Sequence, residues 1–336
     1  MNIVRTLDCP VSGADRMVVA VGNFDGVHRG HRKVLEQCRR LASESEAQSW
    51  ALTFDPHPQR VLRPEQPLPL LMSLDEKLER IASLGMDGVL VVPFDKTFST
   101  LKPPEFIASL TKTLPGLTHM VVGPNWRFGH QAAGTVDTLA ELGETAGFKV
   151  AICEPCIHDG APISSTRLRN AVQSGRLDEF RTMSGRPFRL LGTVLRGKQV
   201  GRALGFPTAN LEPSVEVLPP YGVFAVQVGF ENRQIPGAGY FCCRARGESA
   251  ATQNLFESYL FDFDGDLYGK TIAVDVLAFI RPDRKFESEA ALQKQIQVDI
   301  EAIRAELTRI VHSFSSRADE GCTKSRSYPD GAGEGM

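Results

Sequence analysis

The sequence predicts an α/β domain built on a parallel sheet, followed by an antiparallel β-barrel that carries a long C-terminal helix. Three observations predict it. At 336 residues the chain exceeds the usual size of a single core, so two domains are expected. The first half alternates short apolar runs with helical patterns, as strands joined by crossover helices do. The second half strings β-forming segments together through Gly, Pro and Asp turns with no helix between them.

In chain order, MVVAV (17–21), SWALTF (49–54), DGVLVVPF (87–94), HMVVG (119–123) and FKVAICE (148–154) read as strands of the first domain. Helical patterns fill 31–43, 73–85 and 135–147. The middle one is punctuated by Ser73 as N-cap, Glu76 three residues on and Gly85 at its end. A further helix opens at Ser164 or Ser165. The pattern then changes near residue 185, which divides the chain into domains 1–185 and 186–312. RLLGTVLRG, GVFAVQVGF, FESYLFDF and TIAVDVLAFI are barrel strands, and a helix from about Glu289 to His312 closes the domain. Residues 313–336 are polar and rich in Gly and Ser, so that tail is expected to be disordered.

Composition narrows the function classes. Lys and Arg total 38 against 40 Asp and Glu, a net charge of -2, which argues against nucleic acid as a partner. No apolar run approaches the roughly 20 residues of a membrane helix, and no signal-peptide core is present, so a cytoplasmic protein acting on small molecules is expected. Oligomeric state is not legible. The seven cysteines fit reduced thiols. Cys153 and Cys156 form a C-x-x-C near His158, but Cys242 and Cys243 are adjacent, so a second pair at zinc-finger spacing is missing.

The chemistry concentrates in four segments. GNFDGVHRGH, Gly22–His31, joins a strand to a helix through a glycine-rich turn; there, backbone N–H groups attract anions and His28 and His31 add donors. ISSTRLR offers Ser164, Ser165, Thr166 and Arg167 at a helix start, a second anion cradle. VVGPNWRFG presents Asn125 and Arg127, and LTFDPHPQ presents Asp55 and His57, each at a strand's carboxyl end.

These segments resemble the adenylyltransferase module of bacterial bifunctional riboflavin kinase/FAD synthetases, a Rossmann-like HxGH nucleotidyltransferase. GRALGFPTANL, GVFAV and LFDFDGDLYG resemble the flavokinase barrel of the same family, so the likeness runs from about residue 17 to 308. It implies ATP as co-substrate and riboflavin, FMN and FAD as substrates or products. By the resemblance, Gly22, Asn23, Phe24, Asp25 and Gly30 place ATP, and His28, His31 and Arg167 act on its phosphates with Ser164, Ser165 and Thr166. Asn125 and Arg127 lie toward phosphate or flavin. In the barrel, Glu257 is the catalytic base. Gly205, Pro207, Thr208 and Asn210 bind nucleotide, with Thr208 and Asn210 as Mg²⁺ ligands.

One motif is a decoy, and one stretch and two single positions depart from the family pattern. GDLYGKT is one residue short of a phosphate-binding P-loop, so Lys270 is expected in solvent. Residues 239–254 lack the family's G-x-R-P-T and Asn-Ile-Gly, with Arg244 and Arg246 as partial substitutes; Tyr259 and Trp126 replace a His and a Phe. That stretch leaves open a chain that only makes FAD from FMN, or a non-enzymatic flavin or nucleotide sensor.

Overall fold

The computed structural model describes residues 1–13, 15–195, 206–231, 233–245 and 252–320, with the side chains of 245 and 313–320 excepted. The chain divides into two compact units, Met1–Phe188 with Ser214–Pro219, and Arg189–Pro213 with the chain from Pro220 onward.

The first unit is a parallel sheet wrapped by helices. Its elements are β1 (Asn2–Val4), β2 (Met17–Val21), α1 (Arg29–Glu44), β3 (Gln48–Asp55), α2 (Pro58–Leu62), α3 (Leu74–Ser83), β4 (Gly88–Pro93), α4 (Pro103–Thr113), β5 (Leu117–Val122), α5 (Val136–Ala146) and β6 (Lys149–Ile152). The hairpin β7 (Ile157–His158) and β8 (Ala161–Pro162) follows, then α6 (Ser165–Gln173) and α7 (Leu177–Ser184). The six-stranded sheet runs β1-β4-β3-β2-β5-β6. Helices cover both faces, so β2 is buried end to end. Met17, Val19 and Val21 pack on one side with Trp50 and Leu90; Val18 and Ala20 pack on the other with Leu35 and Ile81. Ser73 caps α3 by accepting the Glu76 N–H at 3.2 Å, as its sequence spacing predicts. The sheet's connections reverse direction between β2 and β5. The crevice at their carboxyl ends is therefore where a ligand site belongs in an open α/β sheet.

The second unit is a closed barrel, ordered β10-β13-β12-β11-β14-β9. Its strands are β9 (Phe188–Leu195), β10 (Thr208–Leu211), β11 (Gly222–Phe230), β12 (Arg233–Ala245), β13 (Thr252–Leu260) and β14 (Thr271–Pro282), and α8 (Glu289–Glu320) follows them. Ile303 of α8 is buried against Val223, Ala225 and Phe261. The helix runs past the expected end at His312, and the tail beyond Glu320 lies outside the described residues.

Strand β12 is among the elements that the sequence hides, as β1, β10 and α4 are; its segment RQIPGAGYFCCRA carries Pro236 and two glycines. Its register explains them. A Cβ on Gly239 would sit 2.6 Å from the Phe256 ring, and one on Gly237 would sit 2.4 Å from the Tyr259 carbonyl. A similar close approach occurs in the parallel sheet, where Gly88 pairs with Trp50 and a Cβ would lie 2.3 Å from the indole. Gly88→Ala is therefore expected to destabilise the first unit by about 1–3 kcal/mol through overpacking. Urea unfolding monitored by Trp fluorescence checks this; an unchanged midpoint would contradict it.

Candidate active sites

In the first unit, the turn after β2 is held in a strained shape by burial. Phe24 and Val27 take φ values of 48° and 36°, a region that side-chain-bearing residues, β-branched ones above all, rarely occupy. Both side chains are buried, which keeps them there. His28 then caps α1, its Nδ1 accepting the His31 N–H at 3.2 Å. A ring that accepts at Nδ1 carries its proton on Nε2 when neutral. Burial pushes the His28 pKa down to about 4, so the neutral tautomer holds at physiological pH. His31 stacks on it with ring centroids 3.6 Å apart, and burial, then the charges of His28 and Lys77, push its pKa well below the ordinary value. Gly30 is required by this stack, since a Cβ there would lie 3.1 Å from the His28 ring. Two neutral imidazoles thus line the anion site as uncharged hydrogen-bond donors.

Two sequence expectations are corrected here. Asp25 does not line the cleft. It is 2% exposed, accepts the Leu71 N–H at 3.0 Å and pairs with Arg169, while Ser165 Oγ donates to its carbonyl at 2.9 Å. Arg167 does not enter the cleft either. Its guanidinium donates to the carbonyls of His158 and Ala161 at 2.9 and 2.8 Å and reaches Glu179 at 3.6 Å, bracing the β7–β8 hairpin. The cation lining the cleft is Arg169, one helical turn beyond Ser165 on the same face of α6. That i, i+4 spacing was the signal available in the sequence.

The cleft has a volume of about 470 Å³ and brings together most of the predicted residues: Gly22, Asn23, Phe24, His28, Gly30, His31, Asn125 and Ser164, Ser165 and Thr166 at the start of α6. Ser164 caps that helix through the Arg167 N–H at 3.3 Å. His57, Cys153 and Cys156 also line it. An adjoining cavity of about 640 Å³ shares Asn23, Asn125 and Trp126 and contains Arg127. Its walls are aromatic: Phe54, Phe94, Phe98, Phe106 and Phe128, with Trp126 stacked on Phe128 at 4.7 Å. One compartment is lined with donors, and the other suits a flat ring system.

The barrel holds a second site. On β10 and β13, Thr208 pairs with Tyr259 and Asn210 with Glu257, so the four share one face. Thr208 lines two cavities. One, of about 310 Å³, contains Glu257, Tyr240, Tyr259 and Arg244; the other, of about 550 Å³, contains Pro207, Asn210, Asp264 and Asp266. Burial raises the Glu257 pKa, opposed by Arg244 and by the hydrogen bond from the Thr208 hydroxyl. Arg244 Nη2 lies 2.7 Å from the Glu257 carboxylate, so a residue of the departing stretch engages the expected base. Gly205 and Arg246 lie outside the described residues. Lys270 is exposed, 3.3 Å from Glu231 and over the Phe230 ring, as its rejection as a P-loop lysine implies.

Among the described residues no cluster of three His, Cys, Asp or Glu side chains could hold a metal. Thr208 and Asn210 supply neutral oxygens in a polar cavity, a donor set that fits a Mg²⁺ ion bound chiefly by phosphate. No helix of the described residues is long and apolar enough to cross a membrane.

Together the two sites define a class: a phosphate-handling transferase with one reaction centre in each unit. Comparison with known proteins gives the family. A model described as FAD synthetase matches residues 12–167, and one described as riboflavin kinase matches residues 184–307. The bifunctional riboflavin kinase/FMN adenylyltransferase of Pseudomonas fluorescens is 34% identical over 288 residues, covering 86% of this chain and 92% of its own. That of Escherichia coli K12 is 34% identical over 283 residues, covering 84% and 90%. A crystal structure described as a macrolide-efflux protein from Streptococcus pneumoniae matches with a TM-score of 0.82 at 27% identity, over 90% of this chain and 99% of that one. The chain belongs to the bifunctional riboflavin kinase/FMN adenylyltransferase family.

The depressed His28 pKa makes a stability prediction. Between the ordinary value of 6.5 and about 4, the unfolded chain holds a proton on this ring that the folded chain does not. Its contribution is therefore complete above pH 6.5 and is lost as pH falls toward 4. His28→Asn keeps an N-cap acceptor but cannot titrate. Its unfolding free energy, measured by urea titration, should fall less steeply than wild type over that window; parallel slopes would contradict the assignment.

Proposed function

We infer that this chain makes both flavin cofactors, phosphorylating riboflavin to FMN in the barrel and transferring the adenylyl group of a second ATP to FMN in the α/β unit, with release of pyrophosphate. The observation that carries this reading is that the two units each hold a separate site, and that the two chemistries need different side chains. We take the enzyme to be cytoplasmic, as its substrates are small soluble molecules.

For adenylyl transfer, the FMN phosphate is already an anionic nucleophile and needs no base. What the reaction needs is alignment and stabilisation of the charge that moves from the α-phosphate to pyrophosphate. Nε2–H of His28 and the ring of His31 donate to those oxygens. Ser164, Thr166 and the free N–H groups at the start of α6 grip the triphosphate, and Arg169 adds positive charge. Asn23 and Asn125, shared by both cavities, lie where the phosphates of ATP and FMN meet. The isoalloxazine ring of FMN occupies the aromatic cavity beside Trp126, and Arg127 lies there too.

For the kinase step, a neutral ribityl hydroxyl must lose its proton, which requires a base. Glu257 takes it. Riboflavin occupies the cavity containing Glu257 and Tyr240, ATP the one containing Pro207 and Asn210, and Thr208 stands between them. Thr208 and Asn210 would hold Mg²⁺, whose chemistry there is to draw charge from the transferred phosphate. Arg244, from the atypical stretch, opposes the burial that raises the Glu257 pKa and so favours the ionised form that a base requires, which supports a working kinase over a degenerate one.

Separate assays test this. Purified protein incubated with riboflavin, ATP and Mg²⁺ should yield FMN and FAD on chromatography. His28→Ala should lower FAD formation by about 10²-fold or more with FMN formation near normal. Glu257→Gln should do the converse, about 10²-fold on FMN formation, while FMN supplied directly is still converted to FAD. A matched loss of both activities in either variant would overturn the assignment to separate sites. FAD formed only from added FMN would identify a monofunctional adenylyltransferase, and no turnover at all would identify a sensor.

A further inference from the structure

Beneath the cleft of the first unit lies a charged side chain that the mechanism above does not use. Lys77, on α3, is only 6% exposed. Its neighbour Glu76 is also buried but is paired with Arg80 at 2.6 Å. Lys77 has no ion-pair partner among the described residues. Its ammonium donates to a neutral atom, Thr53 Oγ1, at 3.3 Å. Thr53, fully buried at the carboxyl end of β3, passes the contact on: its hydroxyl donates to the Asn23 carbonyl at 3.1 Å. Asn23 lines the cleft, so a single hydroxyl separates the ammonium from the cleft's backbone.

A buried ammonium is costly unless something offsets its charge. The carboxylates whose fields reach it are Asp25, in the turn after β2, and Asp55, at the end of β3. Asp25 is already paired with Arg169 and hydrogen-bonded to Leu71, and Asp55 is exposed. Two buried cations thus face one buried carboxylate, and the floor of the cleft is positive before any ligand arrives. We propose that Lys77 is a positioning residue for adenylyl transfer: its ammonium holds Asn23 through Thr53 and supplies a fixed counter-charge that the polyphosphate of ATP completes. This rests on the assignment of adenylyl transfer to the His28–His31 cleft.

The same charge acts on the rings above it. Lys77 opposes protonation of His31, which also faces His28, and of His57, which also faces Arg169 and Arg60. Burial is the larger cause in both, and His57 is pushed down to about 4. Lys77 thus helps keep the imidazoles neutral while it attracts phosphate.

The test uses the full chain and a readout that needs no turnover. Histidine ring resonances followed by NMR give the His57 titration directly, and their movement on adding ATP gives affinity at this cleft alone. In Lys77→Met the His57 pKa should rise toward 6.5 and ATP affinity should fall about tenfold, the size expected for one charge removed at partly screened range. Lys77→Arg should restore both. Riboflavin phosphorylation by the same protein should be unchanged, because that site lies in the other unit. Wild-type titration and wild-type ATP affinity in Lys77→Met would overturn the proposal. If that variant does not fold, Thr53→Val decides: it keeps the charge but cuts the link to Asn23, so FAD formation should slow several-fold with the His57 pKa unmoved, and an unaltered rate would overturn the proposal. If the wild type converts no FMN to FAD and Lys77→Met still loses ATP affinity, the reaction assigned to the cleft falls while the counter-charge stands.

Discussion

Asp25 and Arg169 meet with almost no water around them, their side chains 2% and 8% exposed, and they come from segments that are far apart in the chain. The aspartate belongs to the turn that follows β2, the arginine to the second turn of α6. Arg169 also donates to the Pro69 carbonyl at 2.7 Å, and Asp25 accepts the Leu71 N–H, so the strand-to-helix turn, the start of α3's approach and α6 are tied at one point. Breaking such a pair by removing one partner typically costs about 3–5 kcal/mol, because it strands a buried charge. The HxGH turn and the Ser164–Thr166 helix start are thereby held facing one cleft, which neither segment could ensure alone.

That tie also explains how the turn keeps its strained backbone. A Val at positive φ is unfavourable by itself, yet Phe24, Val27 and the Asp25 carboxylate all point into the interior and leave the turn no relaxed alternative. The strain has a use. It ends the strand, turns the chain and delivers His28 to the N-cap position, where accepting the His31 N–H sets the tautomer. Burial then keeps the rings neutral. Fold, tautomer and donor direction follow from one constraint.

Much of this was legible in the sequence because strands buried on both faces read as continuous apolar runs, Ser73 reads as a helix cap and a helix start reads at Ser164 or Ser165. What was hidden depended on neighbours. β12 carries a proline and glycines that look like a turn until Phe256 and Tyr259 are seen to occupy the space of a Cβ. At the site, the motifs located the cleft but not the direction of each side chain. Arg167 and Arg169 stand two residues apart, about 200° around a helix, so a motif that names the segment cannot by itself say which guanidinium enters the cleft. Asp25 looked like a ligand residue for the same reason. Lys77 gave no signal at all, because a lysine in an amphipathic helix ordinarily reads as surface.

The two units solve opposite electrostatic problems. The adenylyl acceptor is a phosphate that arrives ionised, so a carboxylate beside it would repel the nucleophile. The α/β unit accordingly buries Asp25 against Arg169 and lines the cleft with neutral imidazoles and Arg169, while Glu154 of the lining is highly exposed beside Lys33. The kinase acceptor is a hydroxyl that must be deprotonated, so the barrel keeps a carboxylate at its cavity. Burial raises the Glu257 pKa, and the Arg244 guanidinium and the Thr208 hydroxyl oppose that effect. Arg244 therefore contacts the expected base although the stretch around it departs from the family pattern.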